Sequence, residues 1–214
     1  MAKARRSRAV YTNPQPRLSA DERREQIIES ARLVFEQAGF DGARTRDLAT
    51  AAGVNEALLY RHFASKEELF EAAVADPLEA AVAKLVGFSG APPETFDSSG
   101  TVMHERTHKF VDDLLGVMDE IGPLLGVVLF GQATRSEEYF RNRIDPSLTK
   151  IEDVVKANLP AWRHKDFDIA LMVRLTVGMT WFLSVTDKLC KRNRNRAATA
   201  DAITTMLLEG VGVN

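Results

Sequence analysis

The stretch Asp47-Leu48-Ala49-Thr50-Ala51-Ala52-Gly53-Val54-Asn55-Glu56-Ala57-Leu58-Leu59-Tyr60-Arg61-His62-Phe63 decides how this chain is read. Two short helical patterns stand on either side of a glycine. Gly53 is free to take the positive φ that ends one helix and turns the chain. Asn55 carries the side-chain acceptor that starts the next. The spacing predicts a helix over 46–52, capped by Thr45, and another over 56–62. Seven residues are too few for a helix to persist alone in water, so both must pack. Leu48, Ala49, Val54, Leu59 and Phe63 are the expected core, with Ala49 as the small contact between the two helices. Asn55, Glu56, Ala57, Tyr60, Arg61 and His62 are left on the outer side. A helix held this way projects its N-terminus and can enter a major groove, the layout of a helix-turn-helix.

Working upstream, Ser19-Ala20-Asp21-Glu22 has the spacing of a capping box. The helix it opens repeats apolar residues at Ile27, Ile28, Ala31, Val34, Phe35 and Ala38, one buried face, and Gly39 is expected to end it. Residues 1–18 carry Lys3, Arg5, Arg6, Arg8 and Arg17 with no acid, which reads as a disordered basic arm. Such an arm either follows a minor groove or stays solvated. Downstream, Ser65-Lys66-Glu67-Glu68 is a second capping box. Helices are expected near 66–87 (bent at Asp76-Pro77), 101–121, 123–132, 136–159, 166–190 and 197–210, with a Ser/Pro/Gly-rich loop over 88–100. There is no alternating strand pattern and no internal repeat. The expected fold is all-α: an N-terminal three-helix helix-turn-helix domain (19–65) plus a C-terminal helical ligand-binding and dimerisation bundle (66–214).

Composition narrows the classes. Hydrophobic residues make up 45% of the chain, enough for a real core. The lone cysteine, Cys190, excludes an intrachain disulfide framework and suits a reducing cytoplasm. The basic start has no apolar run after it, so no secretory signal is expected. The most apolar stretch, 169–185, contains Arg174 and falls short of the roughly 20 residues that cross a bilayer, so no membrane association is expected. The net charge of −2 hides an asymmetry. Residues 1–66 hold 12 Lys and Arg against 8 Asp and Glu, and the remainder 16 against 22. Polyanion binding belongs to the N-terminal third.

The run from Gly39-Phe40 through Asp47-Leu48-Ala49, Gly53-Val54-Asn55, Leu59-Tyr60-Arg61-His62-Phe63 and Lys66-Glu67-Glu68-Leu69 strongly resembles the N-terminal domain of the TetR family of regulators. The resemblance covers about residues 22–70, ungapped. It implies that Thr45, Tyr60, His62 and Lys66 hold DNA phosphates. It also implies that Asn55, Glu56 and Ala57 lie where bases are read. Each residue type suits its role: a hydroxyl at a helix start, a phenol, an imidazole, an ammonium, and a side chain small enough for close approach. Arg44, Arg46 and Arg61 complete the expected DNA-binding set. The chain departs from the family pattern at Glu56, where many members have a cation, at Leu58, where they have Thr or Asn, and at Ala43 and Arg44, where hydroxyl residues are common. Arg44 is expected to replace a missing hydroxyl. These departures alter the expected operator rather than the activity.

The family likeness also implies a C-terminal bundle that dimerises and binds a ligand. The segment 169–185 is apolar nearly all round, so a partner subunit is its natural cover. Gly178 permits close helix approach, and Ala202, Ile203, Met206, Leu207 and Val211 form the second half of the interface. The homodimer is expected through about 166–190 and 197–213, and a twofold dimer reads a palindromic operator in double-stranded DNA. Met103, Phe110, Phe130, Phe140, Met172 and Trp181 are the candidate lining of a pocket for a small-molecule, largely apolar effector. No cofactor is expected.

One competing motif remains. His104-Glu105-Arg106-Thr107-His108 fits H-E-x-x-H, the zinc site of a hydrolase. Zinc needs a third protein ligand in a dry setting, and Arg106 and Lys109 put charge within and beside the motif. No metal site and no enzymatic activity are expected. A third class, a helical DNA-organising protein without a small ligand, would share the first domain but have a filled C-terminal core. The expectation is a ligand-released transcriptional repressor.

Overall fold

Ser19 closes its capping box: its Oγ accepts from the Glu22 N–H at 3.2 Å, and Glu22 accepts from the Ser19 N–H at 2.8 Å. Those bonds to Ser19 hold the Glu22 carboxyl below its ordinary value. In the computed structural model, which describes residues 18–88, 91–131 and 133–211, this cap opens α1 (Ala20–Gly42). The basic arm lies almost wholly outside the described residues. Gly39 takes φ +67° and ψ 178°, values that break the helix there as expected, and a short further turn follows across that kink to Gly42.

Two short helices come next, α2 (Thr45–Ala51) and α3 (Glu56–His62). After them come α4 (Lys66–Phe70), α5 (Asp76–Phe88), α6 (Thr101–Leu129), α7 (Ala133–Tyr139), α8 (Asp145–Asn158), α9 (Ile169–Cys190) and α10 (Arg196–Val211). There is no β-strand among the described residues. The all-α expectation stands.

A first core runs from Ile27, Ala31 and Phe35 of α1 through Leu48, Ala49, Leu59 and Phe63, with Val54 packed at its margin. It continues through Leu69, Phe70 and Leu78 to Val117, Ile121 and Leu124 of α6. Phe70 stands edge-on to Phe35 and Phe40, with ring centroids 5.1 and 5.2 Å away. Each such contact adds about 0.5–1.5 kcal/mol to area burial. This trio binds the helix-turn-helix to the helices that follow.

Three expectations about the bundle need correcting. The helix over 66–87 is not simply bent at Asp76-Pro77; a π turn, Glu71–Ala75, precedes the pair. A second π turn, Phe140–Ile144, stands in the same relation to Asp145-Pro146 and divides the helix expected over 136–159. In both, the carbonyl four residues before the proline lies inside the π turn. The proline ring would crowd that carbonyl and offers it no N–H, so a locally wider turn relieves the conflict.

Pro123, by contrast, does not separate two helices. α6 runs through it as one element of 29 residues. Two nearby carbonyls are bonded from α9: Ser184 Oγ donates to Met118 at 2.8 Å and Trp181 Nε1 to Gly122 at 2.9 Å. A Cβ at Gly122 would meet Ser184, Trp181 and Val185 at 3.5–3.6 Å, ordinary contact distances, so α9 packs closely here without requiring a glycine.

α9 also differs from expectation. At 22 residues it is long and apolar enough to span a bilayer by length and composition, which the 169–185 reading underestimated. Here it packs on α6 and α8, and the side it buries is hydroxyl-bearing, through Thr176, Thr180 and Ser184. Leu171, Leu175, Phe182 and Leu189 are exposed.

Candidate nucleic-acid interface and effector cavity

The turn between α2 and α3 is a complete Schellman motif. Val54 N–H donates to Ala49 at 2.9 Å and Gly53 N–H to Thr50 at 3.1 Å, with Gly53 at φ +64°. Asn55 Oδ1 then accepts from the Leu58 N–H at 2.7 Å and starts α3. Leu59 is buried beneath, while Asn55, Glu56, Ala57, Tyr60 and Arg61 are exposed and His62 is half-buried. α3 thus has one anchored side and one bare side.

Around it the structure gathers the other DNA-binding candidates. Arg44 and Arg46 are exposed at the start of α2. Arg44, not Thr45, is the capping position, and it makes no side-chain cap bond. The Thr45 hydroxyl is instead 3.1 Å from the Tyr60 hydroxyl, so the two oxygens form one paired polar spot between α2 and α3. Ser65 caps α4 through the Glu68 N–H. Lys66 sits at that helix start with its ammonium 4.3 Å from the centre of the Phe40 ring. This cation–π contact restrains a long side chain that otherwise sweeps freely. Sequence reasoning named Thr45, Tyr60 and Lys66 but missed both contacts. The aromatic at position 40, ahead of the helix-turn-helix, was the available signal.

In the bundle, α6, α8 and α9 enclose a cavity of about 130 Å³. Met103, Phe110 and Met172 line it, together with Leu114, Ile151, Val155, Val173 and Val177. Polar wall residues are Arg106, Thr107, Asn158 and Thr176. Phe130, Phe140 and Trp181 do not line it. Phe130 is 77% exposed, Phe140 is 39% exposed, and Trp181 is engaged with Gly122 beside Phe130. Trp162 and Phe167 take their place. Sequence reading passed over these two because they fall between helices, where no periodicity assigns a side. A smaller cavity of about 60 Å³ adjoins, sharing Leu114, Ile151 and Val177 and reaching Tyr139.

His104 and His108 lie one turn apart on α6, as H-E-x-x-H requires, but among the described residues no three His, Cys, Asp or Glu side chains are grouped so as to hold a metal ion. His108 Nε2 is instead 3.1 Å from Asp201 of α10.

An anchored helix with a bare outer side, backed by an all-helical bundle that holds a cavity, defines the class of two-part helix-turn-helix DNA-binding proteins. Residues 27–73 match the family model described as bacterial regulatory proteins, tetR family. That segment, which holds α2 and α3, is thus similar to the DNA-binding domain of tetR-family regulators.

The chain is also similar to individual known proteins. It is 33% identical over 135 residues to the nucleoid occlusion factor SlmA of Shewanella frigidimarina, covering 63% of this chain and 64% of that one. It is 37% identical over 93 residues to the HTH-type transcriptional repressor Rv1474c of Mycobacterium tuberculosis, covering 38% and 50%. The chain thus spans less than two thirds of the length of these relatives. A solved Clostridium perfringens protein, assigned as a fatty acid metabolism regulator, superposes with TM-score 0.70 at 26% identity, over 88% of this chain and all of that one. Bacillus subtilis FadR, solved with stearoyl-CoA, shares the fold with TM-score 0.66 at 14% identity, over 88% of this chain and 99% of its own.

Proposed function

We propose that this chain is a dimeric transcriptional repressor that binds a palindromic operator and leaves it when a small apolar ligand enters the bundle. The observation that carries the reading is the division of α3, with Leu59 buried and Asn55, Glu56, Ala57, Tyr60 and Arg61 bare. Residues 19–65 are the DNA-binding domain, and 66–214 bind the effector and dimerise. Arg44, Arg46, Arg61, Lys66, His62 and the Thr45–Tyr60 pair hold phosphates, which sets register but not sequence. Glu56 and Ala57 meet base edges. Asn55 faces the same groove, though its Oδ1 is committed to its cap.

Dimerisation follows from the exposed stripe of Leu171, Leu175, Phe182 and Leu189 on α9, joined by Met206 of α10. An apolar face of that length is covered by another surface in water. The twofold axis places two copies of α3 on two half-sites. The ligand favours a state in which those copies are wrongly spaced, so operator affinity falls by the same factor by which DNA weakens ligand binding. The protein acts where the chromosome is, in the cytoplasm. The reading as a DNA-organising protein without a small ligand draws on the likeness to nucleoid occlusion factors, but it expects a filled bundle; the cavity favours an effector.

Selection of bound sequences from random DNA, followed by footprinting, tests the proposal. The expected product is an inverted repeat protected on two half-sites. Recovery of no sequence-specific complex at low salt overturns it.

A further inference from the structure

We infer that the effector is an unbranched aliphatic carboxylate of about 8–12 carbons, with its anionic end at Arg106 and its tail threaded from the larger cavity into the smaller. The inference rests on the effector reading above and names the chemistry of that ligand.

The two cavities lie end to end. Leu114 of α6, Ile151 of α8 and Val177 of α9 line both. On α6, Thr107 and Phe110 precede Leu114 and line the larger cavity, while Met118 and Ile121 follow it and line the smaller. α8 repeats the division about Ile151, with Val155 on the larger cavity and Leu148 on the smaller. Three helices thus meet at one waist of aliphatic side chains, with an apolar chamber on either side. A ring in the larger chamber would leave the smaller one empty, and an empty apolar void forfeits contacts along its walls. Water suits these walls poorly, because it needs two to four polar partners. A methylene chain is narrow enough to pass between three aliphatic side chains and fill both chambers.

The two ends differ in charge. Arg106 is the one charged residue among the described residues that line the larger cavity, and it is half-buried. A guanidinium presents a forked set of donors that matches a carboxylate. At the smaller cavity Arg143 is already answered by Glu79 and Glu71, and Glu79 itself lines the wall, so an anion there would meet a like charge. The head group therefore belongs at Arg106. Two measures bracket the length. An engineered apolar cavity of about 150 Å³ takes a six-carbon ring, so volumes of about 130 and 60 Å³ together take about eight carbons. From Arg106 to Val117, which lines the smaller cavity beyond the waist, α6 rises about 16 Å, the extended length of about twelve carbons.

The test uses the full chain and titration calorimetry with hexanoate, octanoate, decanoate, tetradecanoate, benzoate and 1-decanol. The dissociation constant is expected to fall about three- to fourfold per carbon from hexanoate to decanoate, the worth of each buried methylene. The gain is expected to end by tetradecanoate, and benzoate, which fits the larger chamber alone, should bind more weakly than decanoate. In Arg106→Gln the ratio of the 1-decanol to the decanoate constant is expected to fall about three- to tenfold, which isolates the charge from any change in packing. A labelled terminal methyl of decanoate should give nuclear Overhauser contacts to Met118 and Leu148, which line only the smaller cavity, a readout that needs no variant. Any one of four results overturns the inference while leaving the cavity a ligand site: constants independent of chain length or still falling past tetradecanoate, benzoate as tight as decanoate, an unchanged ratio in Arg106→Gln, or no contact to Met118 and Leu148. Failure of every probe to bind overturns the effector reading as well.

Discussion

Arg32 Nε donates a hydrogen bond to the backbone carbonyl of Ala73 at 3.3 Å, across 41 residues of sequence. In a regular helix that carbonyl accepts from the N–H of residue 77, but residue 77 is Pro77 and has none. Arg32 therefore serves a carbonyl that the proline leaves without its usual donor. The bond ties α1, in the DNA-binding unit, to the π turn Glu71–Ala75 that leads into the bundle. A change in that turn is felt directly at the helix on which α2 rests.

Arg32→Met removes the bond and is expected to cost about 1–2 kcal/mol in urea unfolding at fixed protein concentration. Pro77→Ala restores a backbone N–H for Ala73, so losing Arg32 should cost less in that background. The two changes are expected to be non-additive by at least about 0.5 kcal/mol. Strict additivity would show that Arg32 and Pro77 do not share the Ala73 carbonyl.

The features legible in the sequence are those decided within a few residues. Ser19, Asn55 and Ser65 each cap a helix because the donor they serve is three positions on. Gly53 turns the chain because the motif needs positive φ there. What stayed hidden depends on distant partners. Whether a proline kinks, splits or widens a helix depends on who serves the freed carbonyl, and for Pro77 that partner is Arg32, 41 residues away from Ala73. The cavity lining was half legible for the same reason. On helices apolar on several sides, periodicity does not tell Phe110 facing inward from Phe130 facing out.

The Thr45–Tyr60 pair and Lys66 make a second prediction. Lys66→Ala and Tyr60→Phe are expected to weaken DNA binding by a similar factor on every sequence. Lys66→Ala should also lower the slope of log affinity against log salt by about one. Changes at Glu56 or Ala57 should instead alter which sequence is preferred, by about 1–3 kcal/mol at the affected position. Filter binding on the selected operator, on single-base variants and on random DNA separates the two behaviours. A Lys66→Ala protein that loses specificity but keeps its salt slope would contradict the assignment.

The stripe on α9 makes a third. Leu175 is 62% exposed in the single chain and stands between Leu171 and Phe182 on that face. Leu175→Asp places a charge where the proposed partner would bury it, at a cost of several kcal/mol. Sedimentation is expected to show a monomer, with far-ultraviolet dichroism unchanged because the position is bare in one chain. Operator affinity should fall at least about tenfold, since each monomer holds only one half-site. A Leu175→Asp protein of unchanged dimeric mass would place the interface elsewhere.

Tyr139 makes the last. It is buried between the two π turns, and its hydroxyl has no hydrogen-bond partner. Burial, reinforced by the charge of Glu71, pushes the phenol well above its ordinary value, against the opposing pull of Arg143. The folded chain therefore keeps this proton to higher pH than the unfolded chain, which releases it near pH 10. Tyr139 thus contributes a loss of stability as pH rises above about 10. Tyr139→Phe removes both the unpaired hydroxyl and the titration. It is expected to be neutral or to stabilise by up to about 1 kcal/mol at pH 7, and its advantage over wild type should widen from pH 10 to 11. Urea midpoints of the two proteins at each pH measure this. A variant less stable than wild type by more than about 1 kcal/mol at pH 7 would mean that the hydroxyl has a partner, such as a bound water, and that the site between the π turns is a polar contact rather than a strained apolar one.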